Sequence, residues 1–569
     1  MTTSRIPLRT FSLVTCVGLG VSLFPLAAAP SSALAASAPC TLTQTYGRML
    51  PNLPSASWSR EAIDNLSLRS LAAEETDPTP EGVRDQEENA DIPAGYTYFG
   101  QFVDHDITFD DRANDLLTPT DPSSLHNART PQLDLDSVYG NGPSASSSLY
   151  QADGMRLLTG SALTGSSDTG ATDVPRSSNG QALLGDPRND ENRVVAGIHS
   201  LFIRFHNTTV DRIKAANPSM PSADVFTAAR AEVVARYQEI VMTDYLPVIA
   251  GRNVVDAVAR KGSRGWSTNL RLYNTCAQMP VEFSVAAYRF GHSMVRGLYR
   301  INTSVERLPV FSGTFGVPGV DLTGFSSSPS NFGIEWGFFV PGAGARGIES
   351  QLSYKTDASI THSLSLLPLP AAGTGPTNLA SRNLLRGEQL GLPSGQDVAR
   401  ALGVPVLRDD QILVGKAVND DSDAVTAVSV SPEFAGKTPL WTYVLAESTA
   451  QSFQVRNGVI VGSQRGPFRL GPVGARIVTE TIVGLLKADP SSILNKSAFA
   501  SRSLASSLRD FIKQATEQRV ARQAAPPAAS PAARGRTTVP SLRASVVVRP
   551  ASPAVLPTRG APSAHRRGR

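Results

Sequence analysis

Two histidines stand among charged residues with which they could carry acid–base chemistry or bind a metal. His105 lies between two carboxylates, Asp104 and Asp106, and His292 ends the stretch Ala287–His292. A neutral imidazole has a pKa of about 6.5, so it can accept and return a proton near neutral pH, and it is also a common metal ligand. A single histidine beside acidic residues is more often a surface or capping group, so this interpretation needs support from other parts of the chain.

Three further stretches supply that support, because they occur together and in a fixed order. The stretches are Gly185–Glu191, Tyr237–Pro247 and Arg382–Pro393. Together with the two histidine stretches, they resemble the animal-type haem peroxidase superfamily, and in particular its bacterial-type secreted members, over about residues 90 to 515. The resemblance implies a mainly α fold, in which one large helical haem-peroxidase domain has long loops and little β structure.

His105, Arg188 and Gln101 match the family's residues around bound peroxide. Peroxide on ferric haem must lose a proton from its iron-bound oxygen and gain one on the leaving oxygen, and the resemblance implies that His105 moves this proton. Negative charge develops on the peroxide as the O–O bond breaks, so a fixed cation, here Arg188, would lower the barrier. Gln101 matches the glutamine beside which a halide or water binds, because its amide can donate a hydrogen bond to an anion.

The resemblance also implies which residues hold haem b. His292 matches the axial ligand of the iron, and Asn383 matches the residue that accepts a hydrogen bond from the other ring nitrogen and raises its basicity. Asp104 and Glu191 match the two carboxylates that form ester bonds to haem methyl groups in mammalian enzymes. The alternative is that both are ordinary acids near the haem edge, since some relatives bind haem without such bonds.

A short run of oxygen-bearing residues matches the family's calcium loop. The residues are Thr130, Gln132, Asp134 and Asp136. In an extended loop every second residue points to one side, and calcium takes about six to eight oxygen ligands. The resemblance implies that Gln132 contributes its backbone carbonyl and that Asp106 joins the site, so that the ion would fix the neighbouring His105. The alternative is a solvated acidic turn.

These residues favour a secreted haem peroxidase that uses hydrogen peroxide to oxidise halides, thiocyanate or small organic donors through a ferryl intermediate. The first alternative is a haem-dependent fatty-acid dioxygenase, which carries a radical-forming tyrosine three residues before the axial histidine. Here that position is Arg289, and Tyr288 is expected to point about 100° away on a helix. The second alternative is a haem-binding matrix or adhesion protein with the same fold, which the loss of His105, Arg188 or His292 would have favoured.

The elements that must position these residues are mostly helices. The strongest helical period of apolar residues runs from Ile198 to Phe205. Further helices are predicted over residues 222–244, 281–294, 395–402 and 473–488. Another helix is predicted to end near Gln454, with Thr438 as its N-cap and Pro439 at its first position. Long loops rich in glycine, serine and proline are predicted over residues 158–180 and 311–345.

The two ends of the chain differ in composition from the body. Residues 1–35 have the order of a secretory signal, with arginines, an apolar middle and an Ala-x-Ala site, and the alternative is an uncleaved membrane anchor. Residues 521–569 are rich in alanine, proline and arginine and are predicted to be a disordered tail. This tail either attaches to an anionic surface or has no specific partner. Between them we expect an N-terminal extension over residues 36–89, packed on a catalytic domain over residues 90–520.

The formal net charge of +4 belongs to the ends of the chain. The tail contributes +9 from its arginines and residues 1–36 contribute +2, so residues 37–520 carry −7. This mildly acidic body argues against nucleic-acid binding, which needs a concentrated basic face. No later segment reaches about 18 consecutive apolar residues, so we expect no membrane span in the mature chain. An extracellular location would allow Cys40 and Cys276 to pair.

Overall fold

The computed structural model describes most of the body of the chain. The described residues are 43–73, 87–110, 116–263, 265–273, 278–312, 319–367, 375–418, 424–462, 464–496 and 507–523. They belong, up to Arg522, to one compact unit. Several predicted features lie outside the described residues, namely the signal, Cys40, Cys276 and the tail from residue 524. Residues 74–86 of the predicted extension and residues 111–115 of the predicted catalytic domain also lie outside them.

Helices dominate the described part of the chain. They are α1 (Arg60–Arg69), α2 (Gly95–Ile107), α3 (Asp136–Tyr139), α4 (Arg193–Ala216), α5 (Ser222–Ile240), α6 (Arg252–Val258), α7 (Leu379–Gln389), α8 (Gly395–Leu402), α9 (Ala427–Val430), α10 (Leu440–Ser452), α11 (Pro472–Ala488) and α12 (Leu508–Gln523). No helix within the described ranges is both long and apolar enough to cross a bilayer. The predicted mainly α fold is confirmed.

The β structure in the described ranges consists of short strands in two-stranded sheets. The strands are β1 (Tyr46–Gly47), β2 (Glu88–Pro93), β3 (Ala259–Gly262), β4 (Gly265–Thr268), β5 (Met279–Pro280), β6 (Leu298–Tyr299), β7 (Leu308–Pro309), β8 (Leu352–Tyr354), β9 (Leu413–Val414), β10 (Val425–Thr426), β11 (Gln454–Arg456) and β12 (Val459–Val461). β1 pairs in parallel with β5. The antiparallel pairs are β2–β8, β3–β4, β6–β7, β9–β10 and β11–β12.

The centre of the core is formed where α4 packs against α2 and α5. Asn192 caps α4 by accepting a hydrogen bond from the backbone N–H of Val194. The apolar face predicted from Ile198 to Phe205 is buried, and the Phe202 ring stacks on Phe102 of α2 with 5.0 Å between the ring centres. The helix predicted from this period is therefore confirmed. The predicted helices over 395–402 and 473–488 are confirmed as α8 and α11.

The helix predicted over residues 222–244 changes its pitch before its end. α5 stops at Ile240, and two wide π-helical turns, Val241–Tyr245 and Pro247–Gly251, continue the same path. A proline has no backbone N–H, so Pro247 removes one bond of a regular helix and favours such a change. These wide turns bring Tyr245 to α2, where its ring centre lies 5.6 Å from that of Phe99.

The segment predicted as a helix over residues 281–294 is not a regular α-helix. It consists of a π-helical turn, Glu282–Ala286, followed directly by a tight 3-10 turn, Ala287–His292. The chain leaves helical geometry between them, at Ala286, which has φ −129° and ψ −69°. A wide turn followed by a tight turn changes the direction of the side chains that follow, and such changes of pitch are common at functional sites.

The start and end of α10 differ from the prediction. Thr438 is not the N-cap, because its backbone N–H and its hydroxyl are both bonded to the side-chain amide of Gln396. Pro439 occupies the N-cap position instead, with an extended backbone. The helix ends at Ser452, and Gln454 already belongs to β11.

Segments from both ends of the described chain pack on the core. α1 packs against α7, where Ile63 and Leu66 are fully buried and the hydroxyl of Ser381 donates to that of Ser67. At the other end, the centre of the Phe511 ring of α12 lies 4.4 Å from the centre of the Phe202 ring. The boundary predicted between the extension and the catalytic domain stays a prediction.

Candidate active site

A cavity of about 360 Å³ collects side chains from α2, the turn after Gly185, the turn Ala287–His292 and α7. Six of the predicted site residues line it: Gln101, Asp104, His105, Arg188, Glu191 and His292. Asn383 lies behind the cavity wall, in contact with His292. Residues that are far apart in sequence therefore meet at one place, while their individual roles stay predictions.

His105 is held on α2 with one ring nitrogen bonded to the protein. Its Nδ1 lies 2.9 Å from the amide oxygen of Asn189, which can only accept a hydrogen bond. Burial, with the nearby positive charge of Arg188, lowers the pKa of His105 to about 3. The ring is therefore neutral near pH 7, and Nε2, on its far side from Asn189, is free of this contact.

Arg188 is anchored by a buried carboxylate. The Asp186 side chain accepts hydrogen bonds from the backbone N–H, Nε and Nη2 of Arg188. Nη2 also donates to the carbonyl oxygens of His105 and Thr108, and the guanidinium lies 4.3 Å from the centre of the Phe109 ring. These contacts hold a permanent cation beside the histidine, which the sequence motif alone does not reveal.

His292 is contacted from behind by Asn383, but the amide is oriented differently from the prediction. The amide nitrogen of Asn383 lies 2.9 Å from Nδ1 of His292, and its oxygen accepts from Nη1 of Arg289. A guanidinium has only donors, so Arg289 takes the amide oxygen that was expected to face the histidine. Burial and the Arg289 charge lower the pKa of His292 to about 3, so this ring is also neutral.

Asp104 and Glu191 both line the cavity. Burial raises the pKa of Asp104 to about 6 and that of Glu191 to about 7, although the charge of Arg188 acts in the opposite direction on both. The predicted ester bonds of these two residues to haem stay a prediction.

The cavity wall also contains tyrosines for which the sequence predicts no role. Tyr46 reaches it from β1, and burial raises the pKa of its phenol to about 12. Tyr288 lines the cavity, contrary to the expectation that it points away, because the turn around it is a tight 3-10 turn rather than an α-helix. Its hydroxyl donates to that of Tyr245 at 2.9 Å, and its ring stacks on Phe283. Contacts between such distant segments leave no periodic signal in the sequence.

Three arginines add positive charge to the cavity wall. Arg289, Arg382 and Arg386 all line the cavity. Arg386 forms an ion pair with Asp110, and Nη1 of Arg289 is bonded to Asn383. A ligand that carries carboxylate groups would find complementary charge here.

The predicted calcium ligands come together beside α2. Carboxylate oxygens of Asp106, Asp134 and Asp136 lie within 4.8 Å of one another. The hydroxyl oxygen of Thr130 lies 3.1 Å from a carboxylate oxygen of Asp134 and 3.1 Å from one of Asp136, so it can donate to either. Burial and the neighbouring negative charge of Asp134 raise the pKa of Asp136 to about 6. Gln132 lies in the same loop, and the contribution of its carbonyl stays a prediction.

A chain of charges connects this loop to the anchored arginine. Nη1 of Arg129 lies 3.4 Å from Asp136, and its Nε lies 3.5 Å from Asp186. Asp186 in turn holds Arg188. The acidic loop is therefore linked to the cavity both through α2 and through Arg129.

The animal haem peroxidase family model matches residues 111–432 of this chain. The matched segment includes Arg188, Glu191, His292 and Asn383, and His105 lies shortly before it. The chain is 28% identical over 350 residues to the thyroid peroxidase of Rattus norvegicus, which covers 58% of this chain and 36% of that protein. It is 27% identical over 281 residues to the chorion peroxidase of Drosophila melanogaster, covering 48% and 33%. The matches thus span only about a third of these curated relatives.

Solved structures share the fold at low sequence identity. Peroxidase A from Dictyostelium discoideum matches with a TM-score of 0.55 at 17% identity, over 84% of this chain and 94% of that one. The fatty acid alpha-dioxygenase of Arabidopsis thaliana matches with a TM-score of 0.54 at 15% identity, over 84% and 79%. Because a peroxidase and a dioxygenase match equally well, this likeness establishes the fold alone.

Proposed function

The chain belongs to the animal haem peroxidase family, and on this basis we propose that it is a haem peroxidase, an oxidoreductase that uses hydrogen peroxide. The observation that carries the proposal is the meeting of His105, Arg188 and His292 at one cavity, although they are nearly 190 residues apart along the chain. In this proposal His105 is the proton acceptor, Arg188 the permanent cation and His292 the metal ligand.

The residues around the cavity fit a haem. Nδ1 of His292 faces Asn383, so Nε2 is the nitrogen available to iron. Arg289, Arg382 and Arg386 supply positive charge for the two carboxylates that haem carries. When bound, the haem supplies the iron on which peroxide is reduced. Iron on Nε2 requires the His292 proton on Nδ1, so the Asn383 amide would have to turn its oxygen toward the ring and release Arg289.

The proton steps of the reaction fall to His105. Its ring is neutral near pH 7, so Nε2 can accept a proton from peroxide. Its low pKa, about 3, means that the accepted proton is held weakly and is readily passed to the leaving oxygen. Arg188 cannot lose its charge at working pH, and its anchor on Asp186 keeps that charge beside His105 as negative charge develops.

We also propose which donors the protein oxidises, where it is located, and how it binds calcium and haem. We expect halides, thiocyanate or small organic molecules as donors, with the Gln101 amide able to bond an anion in the cavity. We also expect a secreted protein with calcium at the acidic loop and with Asp104 and Glu191 attached to the haem. Rates with chloride, bromide, iodide, thiocyanate and phenols, measured side by side, would identify the donor class.

The fatty-acid dioxygenase alternative is supported by the shared fold only. In this chain Arg289 stands three residues before His292, at the position where a radical-forming tyrosine is expected in such enzymes. The peroxidase therefore remains the better proposal.

The proposal is tested with purified protein that contains haem. We expect oxidation of a chromogenic donor only when peroxide is present, and a fall of about 10²- to 10⁴-fold in the rate for His105→Leu, the usual effect of removing a general acid–base group. The control is His206→Leu, a buried histidine of α4 that contacts Tyr139 and Met155 instead of the cavity. Wild-type activity in His105→Leu would contradict the assigned chemistry.

A further inference from the structure

We infer that Asn189 is a positioning residue that holds His105 in the tautomer with its proton on Nδ1 and Nε2 free toward the cavity. This inference rests on the proposed peroxidase function, since it concerns the proton acceptor of that reaction. Asn189 was not among the residues predicted from sequence, and it follows Arg188 directly in the turn Pro187–Asp190. The same short turn would thus supply the cation and orient the base.

The contact between Asn189 and His105 is short and fully enclosed. The amide oxygen lies 2.9 Å from Nδ1, and the exposed fractions of the two residues are 0% and 4%. An amide oxygen has lone pairs but no hydrogen, so the hydrogen bond forms only when Nδ1 carries the proton. A neutral imidazole has one proton on its ring nitrogens, and Nε2 is then left with its lone pair.

A second histidine contacts the other end of the same amide. The amide nitrogen of Asn189 lies 3.0 Å from Nδ1 of His199, which is 1% exposed on α4. An amide nitrogen only donates, so His199 accepts at Nδ1. The His199 ring is fixed edge-on against Phe102, with 6.4 Å between ring centres. To reverse the amide, both histidines would have to change tautomer together, and Nε2 of His105 would then carry a proton into the cavity.

The orientation matters because the two tautomers do opposite chemistry. With Nε2 unprotonated, His105 can take a proton from a ligand that enters the cavity. With Nε2 protonated, the same nitrogen can only donate, and the neutral ring offers no base there. Asn189 therefore prepares His105 before peroxide arrives, without touching peroxide itself.

The test compares Asn189→Leu with Asn189→Asp in protein that contains ferric haem. The readout is the association rate of cyanide, because hydrogen cyanide must give its proton to a base as cyanide binds iron. We expect Asn189→Leu to fold and to keep its haem absorption but to bind cyanide about ten- to a hundredfold more slowly, the usual effect of removing an orienting partner. Asn189→Asp should stay close to wild type, because a carboxylate also accepts from Nδ1–H. The rate of reaction with peroxide should follow the same order, with the donor KM unchanged.

The control is Asn207→Leu, the same substitution at an α4 amide that contacts the backbone of Leu157 instead of His105. Its cyanide rate should equal that of wild type. An unchanged rate in Asn189→Leu would overturn the inference. An equal loss in Asn189→Asp and Asn189→Leu would also overturn it, because the N–H of the amide, rather than its oxygen, would then be the important group.

A different result would contradict the peroxidase proposal without deciding the role of Asn189. Wild-type protein that binds haem but does not turn over peroxide would contradict the proposed function. In that case nitrogen-15 NMR of the histidine rings still decides the inference. A protonated Nδ1 on His105 supports it, and a protonated Nε2 overturns it.

Discussion

Burial is the main influence on the charge of the groups around the cavity. It lowers the pKa values of His105 and His292 to about 3, and it raises those of Asp104 and Glu191 to about 6 and about 7. Arg188 lowers the pKa of His105 further and opposes the rise at both carboxyl groups. Near neutral pH the cavity therefore contains neutral rings beside a fixed positive charge, which is the combination that proton transfer from peroxide requires.

Glu447 shows the effect of burial on a group outside the cavity. It is 3% exposed between α10 and α11, where one oxygen accepts from the backbone N–H of Val473 and the other has no hydrogen-bond partner among the described residues. Burial raises the pKa of Glu447 from 4.5 to about 8. A raised pKa in the folded state means that this group's contribution to stability is fully present below pH 4.5 and is lost as the pH rises toward 8.

We predict that Glu447→Gln removes this loss of stability at rising pH. The free energy of unfolding of wild type should fall by up to about 1.4 kcal/mol for each pH unit in this window, and the variant should lack that part of the decrease. Urea unfolding at pH 5 and at pH 8 measures the difference. Glu61→Gln, at an exposed position of α1, serves as the control and should follow wild type. If all three proteins had the same pH dependence, Glu447 would not be the group responsible.

Sequence alone could identify the residues with distinctive chemistry but not their partners. His105, Arg188 and His292 stand in recognisable motifs, and all three line the cavity. The sequence does not predict the contact between Asn189 and His105, because the two residues are far apart in the chain and meet only through the fold. The orientation of the Asn383 amide was predicted the other way, because it depends on Arg289, whose position follows from the irregular turn.

At the scale of elements, α2 connects the cavity with the acidic loop. Gln101, Asp104 and His105 face the cavity, and Asp106 accepts hydrogen bonds from the loop backbone at Leu135 and from Ser137. Successive residues on an α-helix point about 100° apart, so one short helix can serve both sites. A cation in the loop would therefore stabilise the part of α2 that carries His105.

We predict that calcium stabilises the protein through this loop. An ion at a hundred times its dissociation constant adds about 2.7 kcal/mol to the free energy of unfolding. Melting temperature should therefore fall when a strong chelator is added and recover with calcium, and the haem absorption should change because His105 loses support. Asp134→Asn should abolish the response to calcium.

The control for the calcium prediction is Asp91→Asn, at an exposed position of β2. This variant should respond to chelator and calcium like wild type. Calorimetry that detects no calcium binding to wild type, together with an unchanged melting temperature, would show that the acidic residues form only a solvated turn.

Regular helices were predictable from sequence, whereas irregular ones were not. The apolar period from Ile198 to Phe205 and the segment predicted over residues 395–402 correspond to helices that the structure contains. The turn that carries His292 was predicted as an ordinary helix, since a change from wide to tight pitch depends on packing and leaves the apolar pattern unchanged. Thr438 was predicted as an N-cap because its type suits that role, but Gln396 already occupies its hydroxyl.

At the scale of the whole molecule, the cavity depends on segments from most of the described chain. Tyr46 of β1, the turn after Gly185, the turn that ends at His292 and Arg386 of α7 all reach it. Such wide separation along the chain explains why neither half of the sequence defines the site by itself. The net charge of −7 over residues 37–520 is consistent with a body that recognises small molecules instead of nucleic acid.

Haem titration of purified His292→Ala beside wild type tests whether this chain binds haem through His292 and uses it as a peroxidase. We predict that wild type binds one haem with a strong Soret band and oxidises a donor with peroxide. The variant should lose most of its haem or its activity, and added imidazole should restore part of both by replacing the missing ligand. His206→Ala, which lies outside the cavity, should keep its haem content and its activity. Full haem content and full activity in His292→Ala would contradict the account.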